Sequence, residues 1–262
     1  MNKLTKKRMQ ELLKNDKFPR SAKYDPEWVL SNNMGPNALW LTEWLCEKIE
    51  LKPGMRVLDM GCGKAMSSVF LAKEYGVKVW ANDLWISATE NWLRIMEAGL
   101  ENQICPIHAE AHALPYAEGF FDAIVSLDSY QYYGTDDLYL LYFHKFLKPG
   151  GQIGIVVPGL TQAIAGPVPE HLAKNRGSGK SSWSDDWWCF HTAEWWQRHW
   201  DKMSFMKDVE ADLLPDGWRH WLQFERAALL TGKVSRTTDT EVIEADAGRY
   251  MALIRVLGRR KE

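Results

Sequence analysis

Cysteine is scarce and scattered. Cys46, Cys62, Cys105 and Cys189 are the four in 262 residues, and no two form a Cys-x-x-Cys pair. That spacing excludes a zinc ribbon, a clustered iron–sulfur site and a small disulfide framework. No apolar run approaches the roughly 20 residues needed to span a bilayer. No apolar stretch follows the N-terminal positive charges as a secretory signal requires. A cytoplasmic protein with reduced thiols and no membrane partner is expected. An excess of either charge is also missing: 32 Lys and Arg against 34 Asp and Glu leave a net −2. The basic footprint of a nucleic-acid-binding domain is therefore lacking. The local exception is Lys3, Lys6, Lys7, Arg8, Lys14, Lys17 and Arg20. Such a run reads as a solvated helix or frayed terminus, so no nucleic-acid partner is expected.

A third absence is more pointed. Val57-Leu58-Asp59-Met60-Gly61-Cys62-Gly63 reads as an apolar strand that turns on two glycines into a helix. Asp83 follows about 20 residues later at the end of a second strand, the spacing of a nucleotide-binding βαβ unit. The third glycine of the dinucleotide fingerprint is not there, because Met66 stands in its place. In dinucleotide folds that glycine serves close helix–strand packing beside a pyrophosphate. The site thus suits an adenosine ligand without pyrophosphate, and S-adenosylmethionine is the obvious candidate.

What is abundant is tryptophan, 14 residues, eight of them between Trp183 and Trp221. Before that region the chain alternates strictly. Strands are predicted at Arg56 to Met60, Val77 to Ala81, Ile104 to His108, Asp122 to Leu127 and Gln152 to Val157. Helices are predicted over 36–50, opened by Gly35-Pro36, then Ser67 to Tyr75, Ser87 to Ala98 and Asp136 to Leu147. Lys148-Pro149-Gly150-Gly151 reads as a tight turn, and Pro158-Gly159 as the stop of the fifth strand. Such alternation means an α/β, doubly wound, mostly parallel sheet. Residues 160–191 break the rhythm, and a connection this long is usually functional or disordered. A helix from Thr192 to about Met203, a strand Val209 to Leu213, a helix Trp218 to Leu230 and a last strand Met251 to Leu257 follow.

The motifs together resemble the class I S-adenosylmethionine-dependent methyltransferases of the small-molecule type. They are Leu51-Lys-Pro-Gly-Met-Arg-Val-Leu-Asp-Met-Gly-Cys-Gly63, Asp83, Glu110-Ala-His-Ala-Leu-Pro115, Phe121-Asp-Ala-Ile-Val-Ser126 and Leu147-Lys-Pro-Gly-Gly151. The resemblance implies a seven-stranded sheet ordered 3-2-1-4-5-7-6 with strand 7 antiparallel, and a Trp-rich insertion after strand five. It implies a domain over 51–262, with 1–50 as a helical segment covering the cofactor and 160–191 as a lid. S-adenosylmethionine is the implied cofactor, with Asp59, Gly61 and Gly63 along its methionine part. Asp83, with Leu84 beside it, is implied to bind the ribose hydroxyls. Glu110, where the family usually has Asp, and the Ala111 amide are implied to bind adenine. Leu127 and Asp128 fall where the family holds the amino group. Met34-Gly35-Pro36-Asn37 resembles the segment that closes over the cofactor.

The methyl acceptor is expected to be a small molecule, apolar or amine-bearing. The loop Ser126-Leu127-Asp128-Ser129-Tyr130 lacks the Asn-Pro-Pro-Tyr pattern of enzymes that methylate base amines or glutamine. Tyr130 and Tyr133 are the candidates to orient the acceptor or support the sulfonium. Among the histidines His191 is the preferred general base and His171 the reserve, whereas His108 and His144 read as structural. Trp183, Trp187 and Trp188, with Asp185 and Asp186 between them, would wall the acceptor. Trp195, Trp196 and Trp200 are spaced as one helical face and read as core. Asp185-Asp186 lacks a third ligand by spacing, so no metal is expected. Three other readings stay open: a dinucleotide-dependent oxidoreductase, which Met66 disfavours; a noncatalytic S-adenosylmethionine-binding sensor; and an RNA methyltransferase, resting only on the basic N-terminus.

Overall fold

The structure, a computed structural model, describes residues 5–174, 183, 185–232 and 238–262. Short helices come first: α1 (Lys6–Leu13), α2 (Pro26–Ser31) and α3 (Ala38–Leu45). The expected 36–50 helix is thus shorter. Asn37 rather than Pro36 begins it, its side chain accepting the N–H groups of Leu39 and Trp40, and Cys46 closes it. The alternating part follows as β1 (Arg56–Met60), α4 (Met66–Tyr75), β2 (Lys78–Asp83), α5 (Ala88–Glu97), β3 (Ile104–His108) and β4 (Phe121–Leu127). Gly76 ends α4 in the left-handed region, and a Ser87/Glu90 capping box starts α5. Next come α6 (Tyr139–Phe143) and β5 (Leu147–Leu160). The helix expected over 136–147 is shorter, with its α-helical part limited to Tyr139–Phe143. Its last turn tightens to a 3-10 turn at His144–Phe146, which lets Leu147 enter the sheet directly.

Two predicted breaks in β5 do not break it. The Lys148–Gly151 stretch is absorbed as a register shift against β4 between Phe121 and Ala123. Pro158 and Gly159 continue the strand, paired with Leu253 and Ala252. Gly159 is required there because a Cβ would lie 2.5 Å from the His191 carbonyl oxygen. The chain then forms α7 (Glu170–Ala173), α8 (Ala193–Asp201), β6 (Met206–Leu213), α9 (Gly217–Leu230), α10 (Thr238–Asp246) and β7 (Met251–Arg260). The sequence reading missed α10.

The sheet has seven strands in the order β3-β2-β1-β4-β5-β7-β6, with β7 antiparallel to both neighbours. It is the topology the resemblance implies. Side chains of a strand alternate between faces. Ala123, Val125 and Leu127 of β4 enter one core with α3, α4 and α9. Phe121 and Ile124 enter the other, with α6 and α8. Burial on both faces is why these strands read as continuous apolar runs. Trp196 and Trp200 are fully buried in the second core, as their helical spacing suggests, while Trp195 is half-buried.

A cation is buried in this frame. Arg255 of β7 is 3% exposed. It donates to both Asp212 oxygens at 2.9 and 2.7 Å and to the Trp44 carbonyl, and its guanidinium lies 4.4 Å from the Trp44 ring centroid. It therefore ties β7, β6 and α3 together. Removing a partner leaves a buried cation short of compensation. Asp212→Ala is expected to cost about 3 kcal/mol in urea unfolding. Glu47→Ala, removing an exposed contact to the same arginine, is expected to cost below about 1 kcal/mol. Equal losses would contradict this account.

Candidate functional site

The tips of β1 and β2 build the floor of the site. Past Met60 the chain takes φ of +71° at Gly61 and +53° at Gly63, values that disfavour other residues. The Gly61 and Cys62 amides donate to the Asn82 carbonyl at 2.8 and 3.0 Å. The Asn91 amide, reaching from α5, donates to the Gly63 carbonyl at 2.9 Å. Asp83 accepts the Gly63 amide on Oδ2 at 2.8 Å, and the Trp85 and Ile86 amides on Oδ1 at 2.8 and 2.9 Å. One carboxylate thus holds the glycine turn against the end of the second strand.

Glycine also marks close approach from above. A Cβ on Gly61 would stand 1.9 Å from Ser129 Oγ, one on Gly63 2.9 Å from Met34 Sδ, and one on Gly35 2.1 Å from Asp128 Oδ2. The segment before α3 and the loop after β4 therefore close over the turn. Between them lies a cavity with about 1070 Å³ of empty space, part of it open to solvent. Gly35, Gly61, Gly63 and Asp83 line it, as do Leu84 and Ala111 at one end and Leu127 and Asp128 at the other. Glu110 and Tyr133 complete the expected residues found there.

Their chemistry is specific. Asp128 sits at φ +52° just beyond β4, and its Oδ1 accepts the Gln131 amide N–H at 3.1 Å. Burial pushes its carboxyl up to about 7. The Tyr133 hydroxyl lies 3.3 Å from Ser126 Oγ and 3.2 Å from Ser129 Oγ. Burial holds that phenol well above its ordinary value, so it is a neutral hydroxyl rather than a base. Glu110 is folded back on His112, bonding the backbone N–H and Nδ1 at 2.8 Å each. That hydrogen bond from the His112 side chain, ahead of its other contacts, lowers the Glu110 carboxyl.

Several expectations need correction. Asp59 does not line the cavity; it is fully buried beneath it and accepts the Ser67 and Ser68 hydroxyls, both at 2.6 Å, on Oδ2. Its Oδ1 has no partner among the described residues. Tyr130 is a core residue: it is fully buried, packed against Tyr139, Phe143, Trp196 and Trp200, outside the cavity wall. A catalytic role for it is withdrawn. His191 also lies outside the wall, stacked on Trp195 at 3.7 Å, with burial lowering its imidazole to about 4. His171, the reserve, bonds the buried Asp246 at 2.9 Å. His108 and His144 bond the Leu84 and Leu140 carbonyls, the structural roles expected. No group of three metal-ligating side chains occurs among the described residues.

Of the tryptophans expected to wall the acceptor, Trp183 is buried edge-on to Trp187 and Trp188, and Trp188 is exposed. The turn carrying them, Asp185–Cys189, packs on the turn Tyr130–Tyr132. Residues 175–182 and 184 of the expected lid, and Lys3 of the basic run, lie outside the described residues. Met34, of the segment expected to close over the cofactor, also lines the cavity, and the sequence reading did not single out Trp85, Ser129, Tyr132 or Phe224 there. Ser129 and Tyr132 were legible as part of the loop after β4. Phe224, far away on α9, carries no local signal.

The family model described as "Methyltransferase domain" matches residues 57–151, the segment from β1 into β5 that holds the glycine turn and Asp83. Residues 57–151 thus match a methyltransferase domain. The chain is 31% identical over 138 residues to the methyltransferase GfsG of Streptomyces halstedii, covering 50% of this chain and 48% of that protein. To phosphoethanolamine N-methyltransferase 1 of Zea mays it is 35% identical over 118 residues, 43% of this chain and 22% of the relative. The chain thus spans about half the length of the first relative and a fifth of the second. The (4+2)-cyclase SpnF superposes with a TM-score of 0.66 at 16% identity, over 88% of this chain and 85% of that one. That likeness shows the fold of the methyltransferase domain and no more.

The buried Asp59 makes stability respond to pH in a definite direction. Burial raises its carboxyl from 3.8 to about 6, against the lowering by the serine hydroxyls. The folded protein therefore holds an extra proton between those values. This contribution is present below the unfolded value and is lost as pH rises through about 6. Asp59→Asn, which cannot ionise, is expected to gain stability relative to the unsubstituted protein between about pH 4 and pH 7. Guanidinium unfolding at a series of pH values reads the difference; a flat difference contradicts it.

Proposed function

We propose that the methyltransferase domain binds S-adenosylmethionine in this cavity and transfers its methyl group to a small-molecule acceptor. The observation that carries the reading is the buried Asp83 carboxylate tied to the Gly63 amide at 2.8 Å. It combines a backbone open to close approach with an acceptor-only group at the distance of a ribose from the turn. Among the described residues Oδ2 takes a single donor, which leaves a lone pair for a ribose hydroxyl. The close contacts at Gly35, Gly61 and Gly63 leave no room for side chains there, which fits a ligand laid flat on the backbone.

Bound there, S-adenosylmethionine supplies an electrophilic methyl carbon on a sulfonium. The residues are read from one end to the other. Leu84 and Ala111 hold the adenine, with Glu110 beside them, Asp83 the ribose, and Gly61 and Gly63 the methionine chain. The Leu127 and Asp128 corner takes the amino group. Asp59 acts on the site through Ser67, which lines the cavity. The segment around Met34 and Gly35 covers the cofactor. Tyr133, held by two serines, directs a hydroxyl toward the methyl end. In-line displacement needs the acceptor held in register, and such positioning contributes about 7–11 kcal/mol.

The cavity has no histidine among its described lining residues. Any proton the acceptor loses therefore goes to a carboxylate or to water. The four free thiols suit a reducing compartment, and the cytoplasm is the proposed location.

Calorimetry is expected to show S-adenosylmethionine binding in the micromolar range. Asp83→Ala, which removes charge-assisted hydrogen bonds to a diol, is expected to weaken it about 100-fold, roughly 3 kcal/mol. Binding of NAD in its place overturns the reading. Cofactor binding without turnover on any small acceptor would favour the sensor instead.

A further inference from the structure

The segment that covers the glycine turn is tied down by polar bonds. The helices at its two ends are anchored in the core, α2 through Val29 and Leu30 and α3 through Leu39 and Trp40. The six residues between them, 32–37, are irregular. Met34 stands over Gly63, its Sδ 2.9 Å from the place of a Cβ there, yet it remains 46% exposed. Its burial therefore gives little to hold the segment in place. The Gly35 amide donates to Asn33 Oδ1 at 3.0 Å, a bond internal to the segment.

Among the described residues, two cations reach the upstream end of this cover. Lys64, next after the glycine turn, donates to the Ser31 carbonyl at 3.3 Å, at the C-terminal end of α2. Arg94 of α5 donates from Nε to Asn32 Oδ1 and from Nη1 to Asn91 Oδ1, both at 3.2 Å. Asn91 is 1% exposed and donates in turn to the Gly63 carbonyl at 2.9 Å. Asn32 spends its own amide N–H on the Trp28 carbonyl at 2.9 Å. A run of bonds thus joins the floor of the cavity to its cover, through Gly63, Asn91, Arg94 and Asn32. Arg94 is its middle, and the planar guanidinium fixes both neighbours at once.

Beside this run α2 and α5 do not close on each other. A groove with about 790 Å³ of empty space, part of it open to solvent, runs between them and is lined by Trp28, Asn32, Leu93 and Arg94. The cover can lift there without a packed interface coming apart.

We propose that Arg94 is a positioning residue that latches residues 32–37 over the cofactor, so that its bond to Asn32 must open before the cofactor enters or leaves. The inference rests on the cavity being an S-adenosylmethionine site. The same guanidinium ties the backbone under the ligand, through Asn91, to the segment above it, through Asn32. Losing it leaves the Asn91 bond to Gly63 in place and frees the cover. Opening such a segment costs far less than global unfolding, and the few contacts that close it set the rate of ligand exchange.

The test uses the whole chain. In the ligand-free protein Arg94→Met, which keeps the aliphatic stem, is expected to speed hydrogen exchange over residues 28–39 about fivefold and to leave β1 and β4 unchanged. Release of radiolabelled S-adenosylhomocysteine into excess unlabelled ligand is expected to be about tenfold faster in Arg94→Met and in Asn32→Ala. The double variant is expected to be no faster than either, because both substitutions remove one bond. Arg94→Lys keeps the charge without the fork and is expected to stay fast. Unchanged exchange or unchanged release in Arg94→Met, additive effects in the double variant, or unsubstituted-like release from Arg94→Lys overturns the latch alone. Failure of S-adenosylhomocysteine to bind the unsubstituted chain overturns the reading of the cavity itself.

Discussion

The amide of Gly63 donates to Asp83, and two amides beside it donate to the Asn82 carbonyl. These bonds join the turn after β1 to the tip of β2 and fix where every other part of the cavity must stand. Parallel strands end together at one edge of the sheet, and their loops meet there by topology alone. What topology does not supply is a defined backbone path. The glycine turn needs left-handed φ at two positions, a conformation of few competing contacts, and the carboxylate offsets that strain. With the turn held, Asn91 fixes α5 to it, and Met34 and Ser129 close in on the glycines.

How far the sequence revealed this can be judged residue by residue. Gly61, Gly63 and Asp83 were legible because strand, turn and acid lie in one short stretch. The α/β class followed from alternation, the strand order from the family resemblance, and Trp196 and Trp200 from helical spacing. Elements whose shape is decided elsewhere were not. β5 passes through Pro158 and Gly159 because β7, a hundred residues on, pairs with them. Asp59 and Tyr130 have the residue types and positions of site groups. Both nevertheless turn away, Asp59 toward two serines and Tyr130 into a ring cluster beneath α8. Side-chain direction at a strand end is set by packing, which local sequence does not record. Phe224 lay within a correctly read helix, but its place in the cavity wall depends on how α9 packs on the sheet.

The tryptophans divide along the same line. Trp40 and Trp44 join one core, Trp196 and Trp200 the other, so part of the unusual content simply fills space on both faces of the sheet. Trp183 and Trp221 belong to the first of these cores, together with Phe224 and Leu127 of the cavity wall. Large rings there create an environment that excludes water. Water exclusion strengthens every electrostatic contact within it, and makes an uncompensated carboxylate correspondingly expensive.

The insertion of β7 between β5 and β6 has a consequence for how the chain is made. The strand at residues 251–260 is made after the other six strands of the sheet, yet it occupies an interior place in it. Until it arrives, β5 presents a long, apolar, unpaired edge and β6 has nothing to join. The nascent polypeptide must therefore carry an open template for nonnative pairing from the completion of β5 until β7 is made. Glycine at 154 and 159 and proline at 158 make that edge a poorer template for a second chain while it stands open.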